Sequence, residues 1–261
     1  MTPVSTHPAS PTVGLFVTCL VDLFRPSVGF ASVALLEAAG CRIVVPPAQT
    51  CCGQPAYNAG ASETAAELAR NVIVSFENCD YVVAPSGSCA AMIRLHYPRL
   101  FRDDPQMKFR ADAVSRKCWE LVSFLVDEMH FEGLLNDFDG DVTYHDGCSG
   151  LRELGIRDQP RDLMGKIAGL DLRELSAPDV CCGFGGAFCV KYPQISQAMA
   201  DNKIDDITAT GADTVLAGDL GCLMQIAGRL QRRGSPVRVR HIAEVLAGMT
   251  DHPAIGETKE S

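Results

Sequence analysis

The stretch CCGFGGAFC at residues 181–189 places two adjacent cysteines before a run of glycines, and CCGQPAYNAG at residues 51–60 opens with the same Cys-Cys-Gly. Adjacent cysteines are poorly placed to bridge each other, because neighbouring Cα atoms lie about 3.8 Å apart and disulfides prefer about 5.5–6 Å. They are well placed to bind one polynuclear metal centre. The glycines then have a purpose, since bare backbone approaches such a centre closely and adopts positive φ.

The repeat extends well beyond these two motifs. In each half one cysteine precedes Cys-Cys-Gly and another follows it, and the interval from Cys19 to Cys51 is 32 residues against 33 from Cys148 to Cys181. Eight of the twelve cysteines belong to the pattern, namely Cys19, Cys51, Cys52, Cys89, Cys148, Cys181, Cys182 and Cys222. A duplicated pattern of this length indicates two similar units in one chain.

Hydrophobic patterning places these cysteines after strands. Short apolar runs typical of buried strands are found at residues 13–18, 42–47, 81–85, 141–145, 171–175, 214–218 and 237–241. Helices are predicted at 26–40 and at about 61–77. This alternation predicts an α/β fold with two Rossmann-like parallel-sheet halves and the cysteines at the carboxyl ends of the strands. Those ends share one edge of a sheet, so we expect each set of four thiols to converge.

Composition and length limit the function classes. The 261 residues suit one large domain or two small ones. The net charge is −9, and no Lys/Arg run lies beside aromatic residues, which argues against nucleic acid as a partner. The start of the chain lacks the pattern of a signal peptide, and no apolar run reaches the roughly 18 residues of a membrane span. We therefore expect a cytoplasmic protein, where many cysteines indicate metal binding or redox chemistry.

The predicted organisation has five segments. They are a disordered N-terminus at 1–11, a first cysteine-rich repeat at 12–110, a helical connector at 111–140, a second repeat at 141–249 and a disordered tail at 250–261.

Longer motifs around the cysteines carry a family resemblance. They are CCGQPAYNAG (51–60), PSGSC (85–89), YHDGCSGLRELG (144–155), CCGFGGAFCVKYP (181–193) and HIAEVLAG (241–248). Together they resemble the lactate-utilisation protein A family from about residue 12 to 249. The doubled pattern is also similar to the cysteine-rich CCG domains of heterodisulfide reductase and of the iron–sulfur subunits of glycolate oxidase and anaerobic glycerol-3-phosphate dehydrogenase.

The resemblance implies an iron–sulfur electron-transfer subunit of a three-protein complex that oxidises L-lactate to pyruvate. Its implied partners are a ferredoxin-like iron–sulfur subunit and a third lactate-utilisation protein, and the eight repeated cysteines are the implied ligands of iron–sulfur clusters. Heterodisulfide-reductase-type domains end in Cys-x-x-Cys, whereas Ser86 and Asp219 stand at the first of those positions here. Four cysteines per repeat still suffice for a [4Fe–4S] cluster.

Other interpretations of the thiols stay open at this point. Soft thiolates also bind zinc or Cu(I), and cysteines act as metal-free redox thiols or simply pack in cores. The alternative functions are therefore a subunit of a glycolate or glycerol-3-phosphate type of oxidoreductase, a stand-alone thiol–disulfide reductase of the heterodisulfide type, or an adaptor protein stabilised by zinc. A small 2-hydroxy acid is the candidate substrate, bound on this chain or on a partner.

Two polar residues directly before Cys148 are candidate catalytic residues. At this strand end His145, next to Asp146, has the chemistry to take up a substrate proton or to hydrogen-bond a cluster sulfide. His241, at the end of the last strand, is expected to be structural. The glycines of residues 183–186 lack the context of a dinucleotide-binding loop, because cysteines take its place.

The remaining four cysteines fall outside the repeated pattern. Cys41, Cys79 and Cys118 lie in apolar surroundings and are expected to pack in the core. Cys189 has no counterpart in the first repeat and is a candidate extra ligand or resolving thiol.

Overall fold

The first half of the chain folds around a four-stranded parallel sheet. The computed structural model describes residues 10–134 and 136–257. The strands are β1 (Thr12–Leu15), β2 (Arg42–Val44), β3 (Tyr81–Ala84) and β4 (Cys118–Glu120). Their order in the sheet is β2-β1-β3-β4. Val13, Val82 and Val83 are fully buried, as expected for parallel strands that helices cover on both faces.

The second half repeats this arrangement. Its strands are β5 (Asp137–Tyr144), β6 (Ala168–Leu172), β7 (Thr214–Ala217) and β8 (Arg238–His241), all paired in parallel. Their order is β6-β5-β7-β8, which is the order of the first sheet. The predicted α/β fold with two parallel-sheet halves is therefore confirmed.

Helices connect the strands in both halves. In the first half they are α1 (Cys19–Phe24), α2 (Pro26–Ala38), α3 (Gln54–Asn58), α4 (Ser62–Phe76), α5 (Gly87–Ala91), a π-helical turn (Met92–His96), α6 (Tyr97–Leu100), α7 (Pro105–Arg116), α8 (Leu121–Ser123) and a second π-helical turn (Phe124–Glu128). In the second half they are α9 (Cys148–Leu154), α10 (Asp158–Met164), α11 (Phe188–Lys191), α12 (Pro193–Ala209), α13 (Leu220–Arg232) and α14 (Ile242–Leu246).

Local sequence explains where the long helices begin and end. Helix α2 begins with Pro26, whose fixed φ suits a first helical position, and the chain leaves the helix at Gly40 with φ 86°. The predicted helices at 26–40 and 61–77 correspond to α2 and α4. None of the helices within the described ranges is both long and apolar enough to cross a bilayer.

The segment predicted as a helical connector, residues 111–140, contains strands. Residues 118–120 form β4, which pairs with β3, and Asp137 already begins β5. A strand of three residues is too short to show the alternation from which strands are predicted. Its place in the sheet comes instead from pairing with a strand that is distant in sequence. The predicted strand at 171–175 likewise lies earlier, as β6 at Ala168–Leu172.

The sequence predicts a disordered end of the chain, but the described part of this end is packed. Ala254 is 1% exposed, and the backbone N–H of Ile255 donates to the carbonyl of Val239 at 2.8 Å. The carbonyl of Pro253 accepts a hydrogen bond from Arg25 at 2.7 Å. The polar composition of this segment does not indicate these contacts, because they depend on residues far away in the chain. Residues 1–9 and 258–261 lie outside the described residues.

The two halves share a hydrophobic cluster. Buried residues of both sheets, among them Val13 and Val142, belong to the same cluster. Helix α2 packs against α14, and there Arg25 forms an ion pair with Glu244 at 2.8 Å, with both side chains largely buried. The halves therefore pack directly on each other.

We expect opposite effects from alanine at two glycines of the first half. A Cβ at Gly14 in β1 would lie 2.6 Å from a ring carbon of Phe76 and 2.8 Å from the sulfur of Cys79, so Gly14→Ala overpacks the core and costs about 1–3 kcal/mol. A Cβ at Gly29, inside α2, would make ordinary contacts at 3.5 Å or more. Gly29→Ala should therefore stabilise the fold by about 0.5–1 kcal/mol. Urea unfolding of both variants measures this difference, and equal midpoints would contradict the packing described here.

Candidate metal centres

The first set of thiols lies where the strand order of the first sheet reverses. Between β1 and β3 the chain turns to opposite sides of the sheet, and such switch points are the usual ligand sites of parallel α/β folds. Cys19 begins α1 directly after β1, Cys51 and Cys52 lie on the loop after β2, and Cys89 lies in α5 after β3. All four line one cavity of about 200 Å³.

Hydrogen bonds join these four thiols into one network. Bonds from Cys19 and Cys52 hold the pKa of the Cys51 thiol far below its usual range, against the opposing effect of burial. The bond to Cys51, together with burial, raises the pKa of Cys19, and the bonds to Cys51 and Cys89 raise that of Cys52. One thiolate is thus stabilised by protonated neighbours, and binding of a metal would release their protons.

The glycine of each Cys-Cys-Gly motif has a defined role in the backbone. Gly53 and Gly183 have φ of 85° and 83°, which strains residues with a side chain. In both repeats the glycine N–H donates to the sulfur two residues earlier, Cys51 or Cys181, at 3.4 Å. A Cβ at Gly183 would also lie 2.6 Å from the carbonyl oxygen of Ser196. The motif therefore presents a backbone donor to a thiolate.

The second set of thiols repeats this arrangement. Cys148 begins α9 after β5, Cys181 and Cys182 lie on the loop after β6, and Cys222 lies in α13 after β7. They line a cavity of about 120 Å³. Hydrogen bonds from Cys148 and Cys182 lower the pKa of Cys181, as in the first set. The structure thus brings together both of the sets that the sequence pattern predicts.

The two sets are neighbours. Both cavities share a wall that is formed by Gln54, Ser88, Phe184, Gly186 and Asp219. Helices α5 and α9, which carry Cys89 and Cys148, approach so closely that a Cβ at Gly87 would lie 3.1 Å from the backbone of Gly150. A single layer of residues therefore separates the two cavities.

Ser86 and Asp219, which replace the first cysteine of Cys-x-x-Cys, bind each other across the two halves. The Ser86 hydroxyl donates to the Asp219 carboxylate at 2.9 Å, and both side chains are buried. Each residue also caps its own helix, since Ser86 accepts from the N–H of Cys89 and Asp219 from that of Gly221. A second bond joins the halves here, because Ser88 N–H donates to Asp219 at 3.0 Å. These two positions therefore connect the thiol sets.

The two candidate catalytic residues have different surroundings in the structure. His145 is fully buried, and burial, followed by the charge of Lys203, lowers its pKa to about 4, so its ring is neutral at pH 7. Asp146 accepts two hydrogen bonds from Arg161, both 2.9 Å long, and has 3% of its surface exposed. This pairing holds the segment before Cys148 in place, and a catalytic role of Asp146 stays a prediction.

His241 has the structural environment that its place at a strand end predicts. Its Nδ1 accepts from the N–H of Ala243, and its Nε2 lies 3.2 Å from the carbonyl oxygen of Pro85 in the other half. It also forms a capping box with Glu244 at the start of α14.

The four cysteines outside the pattern lie outside both thiol sets. Cys41 and Cys118 are buried in the hydrophobic core, and Cys79 packs against it while half-buried. Cys189 lies in α11, and its thiol donates to the carbonyl of Gly186, just before that helix, at 3.2 Å. The expected packing of Cys41 and Cys118 is confirmed, and an added role for Cys189 stays a prediction.

Sequence reasoning missed two residues of the second cavity, Glu120 and Tyr144. Burial raises the pKa of Glu120 to about 7, while its carboxylate accepts from the N–H of Ser123. Burial, followed by the charge of Glu120, also raises the pKa of the Tyr144 hydroxyl. Glu120 ends β4, the strand inside the segment predicted to be helical, and no sequence motif surrounds it.

Comparison with known proteins identifies the family. A family profile described as "Cysteine-rich domain" matches residues 13–94 and 142–227, so each match contains one complete thiol set. Lactate utilization protein A of Bacillus cytotoxicus is 47% identical over 234 residues, which cover 90% of this chain and 98% of that protein. The protein of the same name from Geobacillus sp. is 48% identical with the same coverage. The chain belongs to the lactate utilization protein A family.

Structural comparison supports the fold alone. A crystal structure of a hypothetical protein from Helicobacter pylori superposes with a TM-score of 0.66 at 13% sequence identity. The match covers 97% of this chain but 52% of the other, so the chain spans about half the length of that structure.

The donor chemistry of both cavities fits a metal or an iron–sulfur group. Each offers four converging thiols, which soft metals prefer, and a backbone N–H aimed at one of the sulfurs. Beside the second thiol set a nitrogen of His145 lies within 4.8 Å of the sulfurs of Cys182 and Cys222. The residues that would hold such groups are therefore the eight cysteines of the repeated pattern.

We expect Glu120→Gln to remove a pH dependence of stability. Because burial raises the pKa of Glu120 to about 7, its contribution to stability is fully present below pH 4.5, the usual glutamate value, and is lost as the pH rises through 7. The variant should match the wild type at pH 4 and exceed its free energy of unfolding at pH 8 by up to about 3 kcal/mol. Urea unfolding at pH values from 4 to 8 tests this prediction, with Glu63→Gln, at an exposed glutamate, as the control. A parallel decline in wild type and Glu120→Gln would argue against the effect.

The bond between the two thiol sets should be important for stability. Asp219→Ala leaves the hydroxyl of Ser86 and the N–H groups of Ser88 and Gly221 without their acceptor, and we expect a loss of about 2–4 kcal/mol. Asp103→Ala removes an exposed ion pair with Arg102 and should change stability by less than about 1 kcal/mol. Thermal unfolding of both variants measures the contrast, which similar losses would refute.

Proposed function

We propose that this chain is an iron–sulfur electron-transfer subunit of a complex that oxidises L-lactate to pyruvate. The observation that carries the proposal is the pair of neighbouring thiol sets, each at the switch point of its own sheet. The names of its relatives supply lactate as the substrate of the pathway. An iron–sulfur cluster supplies one-electron chemistry when it is bound.

The residues around each thiol set suit this role. The cavities lie next to each other, which favours transfer of electrons between them, and the thiols are partly or fully buried, which limits access of water to the bound group. Oxidation of a 2-hydroxy acid to a 2-oxo acid releases two electrons and two protons, so the reaction needs an acceptor. We assign that function to the two thiol-lined sites.

The proposal includes partner proteins. A groove beside the first set is lined by Leu23 and Val45, whose side chains are exposed, and it reaches Cys19 and Cys51. Exposed apolar side chains beside a redox site suit a contact through which electrons leave or enter. We propose that a ferredoxin-like iron–sulfur protein docks there, with a third lactate-utilisation protein completing the complex. Complete lactate oxidation by this purified chain alone would refute the need for partners.

Metal analysis of cysteine variants tests the ligand assignment. Cys52→Ser and Cys182→Ser each replace a buried thiolate by a hydroxyl, which iron binds weakly, so each should lower iron and sulfide per chain by about half. Cys41→Ser changes a core cysteine outside both sets and should keep all the iron, at a cost of about 1–3 kcal/mol of stability. The proteins are purified without oxygen and assayed for iron, sulfide and zinc.

The same assay separates the other candidate functions. Zinc in place of iron would indicate an adaptor stapled by zinc, and a colourless protein with redox-sensitive thiols would indicate a thiol–disulfide reductase. Equal iron in all three variants would show that the ligand cysteines are wrongly assigned. For the pathway, a strain lacking this chain should fail to grow on L-lactate, and the Cys182→Ser gene should not restore growth. Normal growth of the deletion strain would contradict the lactate role.

A further inference from the structure

One position close to the thiols carries very different side chains in the two repeats. Three positions before the first cysteine of each set, the first repeat has Phe16 and the second has His145. The structure shows that the positions are equivalent, because the Phe16 N–H donates to the carbonyl of Val83 and the His145 N–H to that of Leu216, both at 2.8 Å. In each case the acceptor lies in the third strand of the repeat. Any difference in chemistry therefore comes from the side chains.

Phe16 has an apolar environment that suits it. It is fully buried, and its ring packs edge-on against Phe76 with ring centroids 5.8 Å apart. His145 is buried to the same degree, yet neither of its ring nitrogens has a hydrogen-bond partner among the described residues. A buried polar group without a partner destabilises the fold, so an imidazole at this place calls for a compensating contact.

A second buried histidine in this half of the chain has partners for both ring nitrogens. His241 is 1% exposed in the same half of the chain, and each of its ring nitrogens has a backbone partner at 3.2 Å. Lys203, whose charge affects His145, is itself occupied with the carbonyl of Ala177 at 2.8 Å. His145 therefore differs from His241, because neither of its ring nitrogens has a partner among the described residues.

The position of the His145 ring indicates what its partner is. A ring nitrogen and the sulfurs of Cys182 and Cys222 all lie within 4.8 Å of one another, and all three residues are buried. Imidazole nitrogen and thiolate sulfur are both common ligands of iron and zinc. Their mutual distances allow all three atoms to be donors to one metal group.

We propose that His145 is a nitrogen ligand of the iron–sulfur group held by the second thiol set. The proposal rests on the proposed function, and it assigns His145 to metal binding and not to proton transfer. The second set then offers five donors, four sulfurs and one nitrogen. The first set, with Phe16 at the equivalent position, offers four sulfurs alone.

The consequence is that the two centres differ in their ligands. One iron of the second centre would bind a nitrogen, whereas the first centre would be held by sulfur alone.

Pulsed electron paramagnetic resonance tests the nitrogen ligand directly. The protein is produced with ¹⁵N-histidine in the Cys52→Ser background, which leaves the second centre as the one under observation, and is reduced after loading with iron and sulfide. We expect the strong hyperfine coupling of a directly bound nitrogen. His145→Phe, which copies the first repeat, should abolish this coupling, whereas His241→Gln should preserve it.

The outcomes of this experiment separate the ligand role from the proposed function. An iron–sulfur signal with no nitrogen coupling, or with coupling that His145→Phe leaves unchanged, overturns the ligand role of His145 and leaves the proposed function standing. A wild-type protein that takes up no iron overturns both. Should His145→Phe fail to fold, His145→Gln takes its place, because glutamine keeps a polar side chain at this position but carries no labelled imidazole nitrogen, so the coupling should again be lost.

Discussion

The structure depends on one constraint, namely that cysteines from three separate strand ends must meet at one point in each half. Parallel strands meet this constraint, because all their carboxyl ends lie at the same edge of the sheet. The strand order also leaves a crevice beyond the carboxyl ends of the first and third strands. If one loop carried the whole site, its four cysteines would have to lie close together in the sequence. Here the sheet supplies them from distant parts of the chain, and it positions each one on a helix start or a short loop.

The backbone around the thiols is as specialised as the thiols themselves. The positive φ of Gly53 and Gly183 turns an N–H towards the first cysteine of each adjacent pair. Ser86 and Asp219, three residues before Cys89 and Cys222, cap the helices that carry these cysteines and bind each other. The halves of the molecule and their thiol sets are therefore held together by the same buried bond.

Much of this architecture follows from local patterns. Apolar runs, the proline that opens α2 and the glycine that follows it predict most strands and the main helices, and the duplicated cysteine spacing predicts both thiol sets. The pattern fails at β4, where three residues show no periodicity and where pairing with β3 decides the conformation. It also fails at residues 250–257, whose polar composition gives no sign of their contacts with Arg25 and Val239. Glu120 was missed for the same reason, since it reaches the second cavity only through β4.

The sequence by itself determined the α/β class, the repeat, the eight cysteines and the family. These follow from the types of residue and their spacing along the chain, which a local pattern records completely. Only the tertiary structure decided that the two cavities share a wall, that Arg161 binds Asp146, and that His145 is left without a partner among the described residues while His241 is satisfied. His145 directly follows β5 and His241 ends β8, so the two histidines look alike in sequence. What distinguishes them is which groups from the rest of the fold surround each ring, and that depends on packing between segments far apart in the chain.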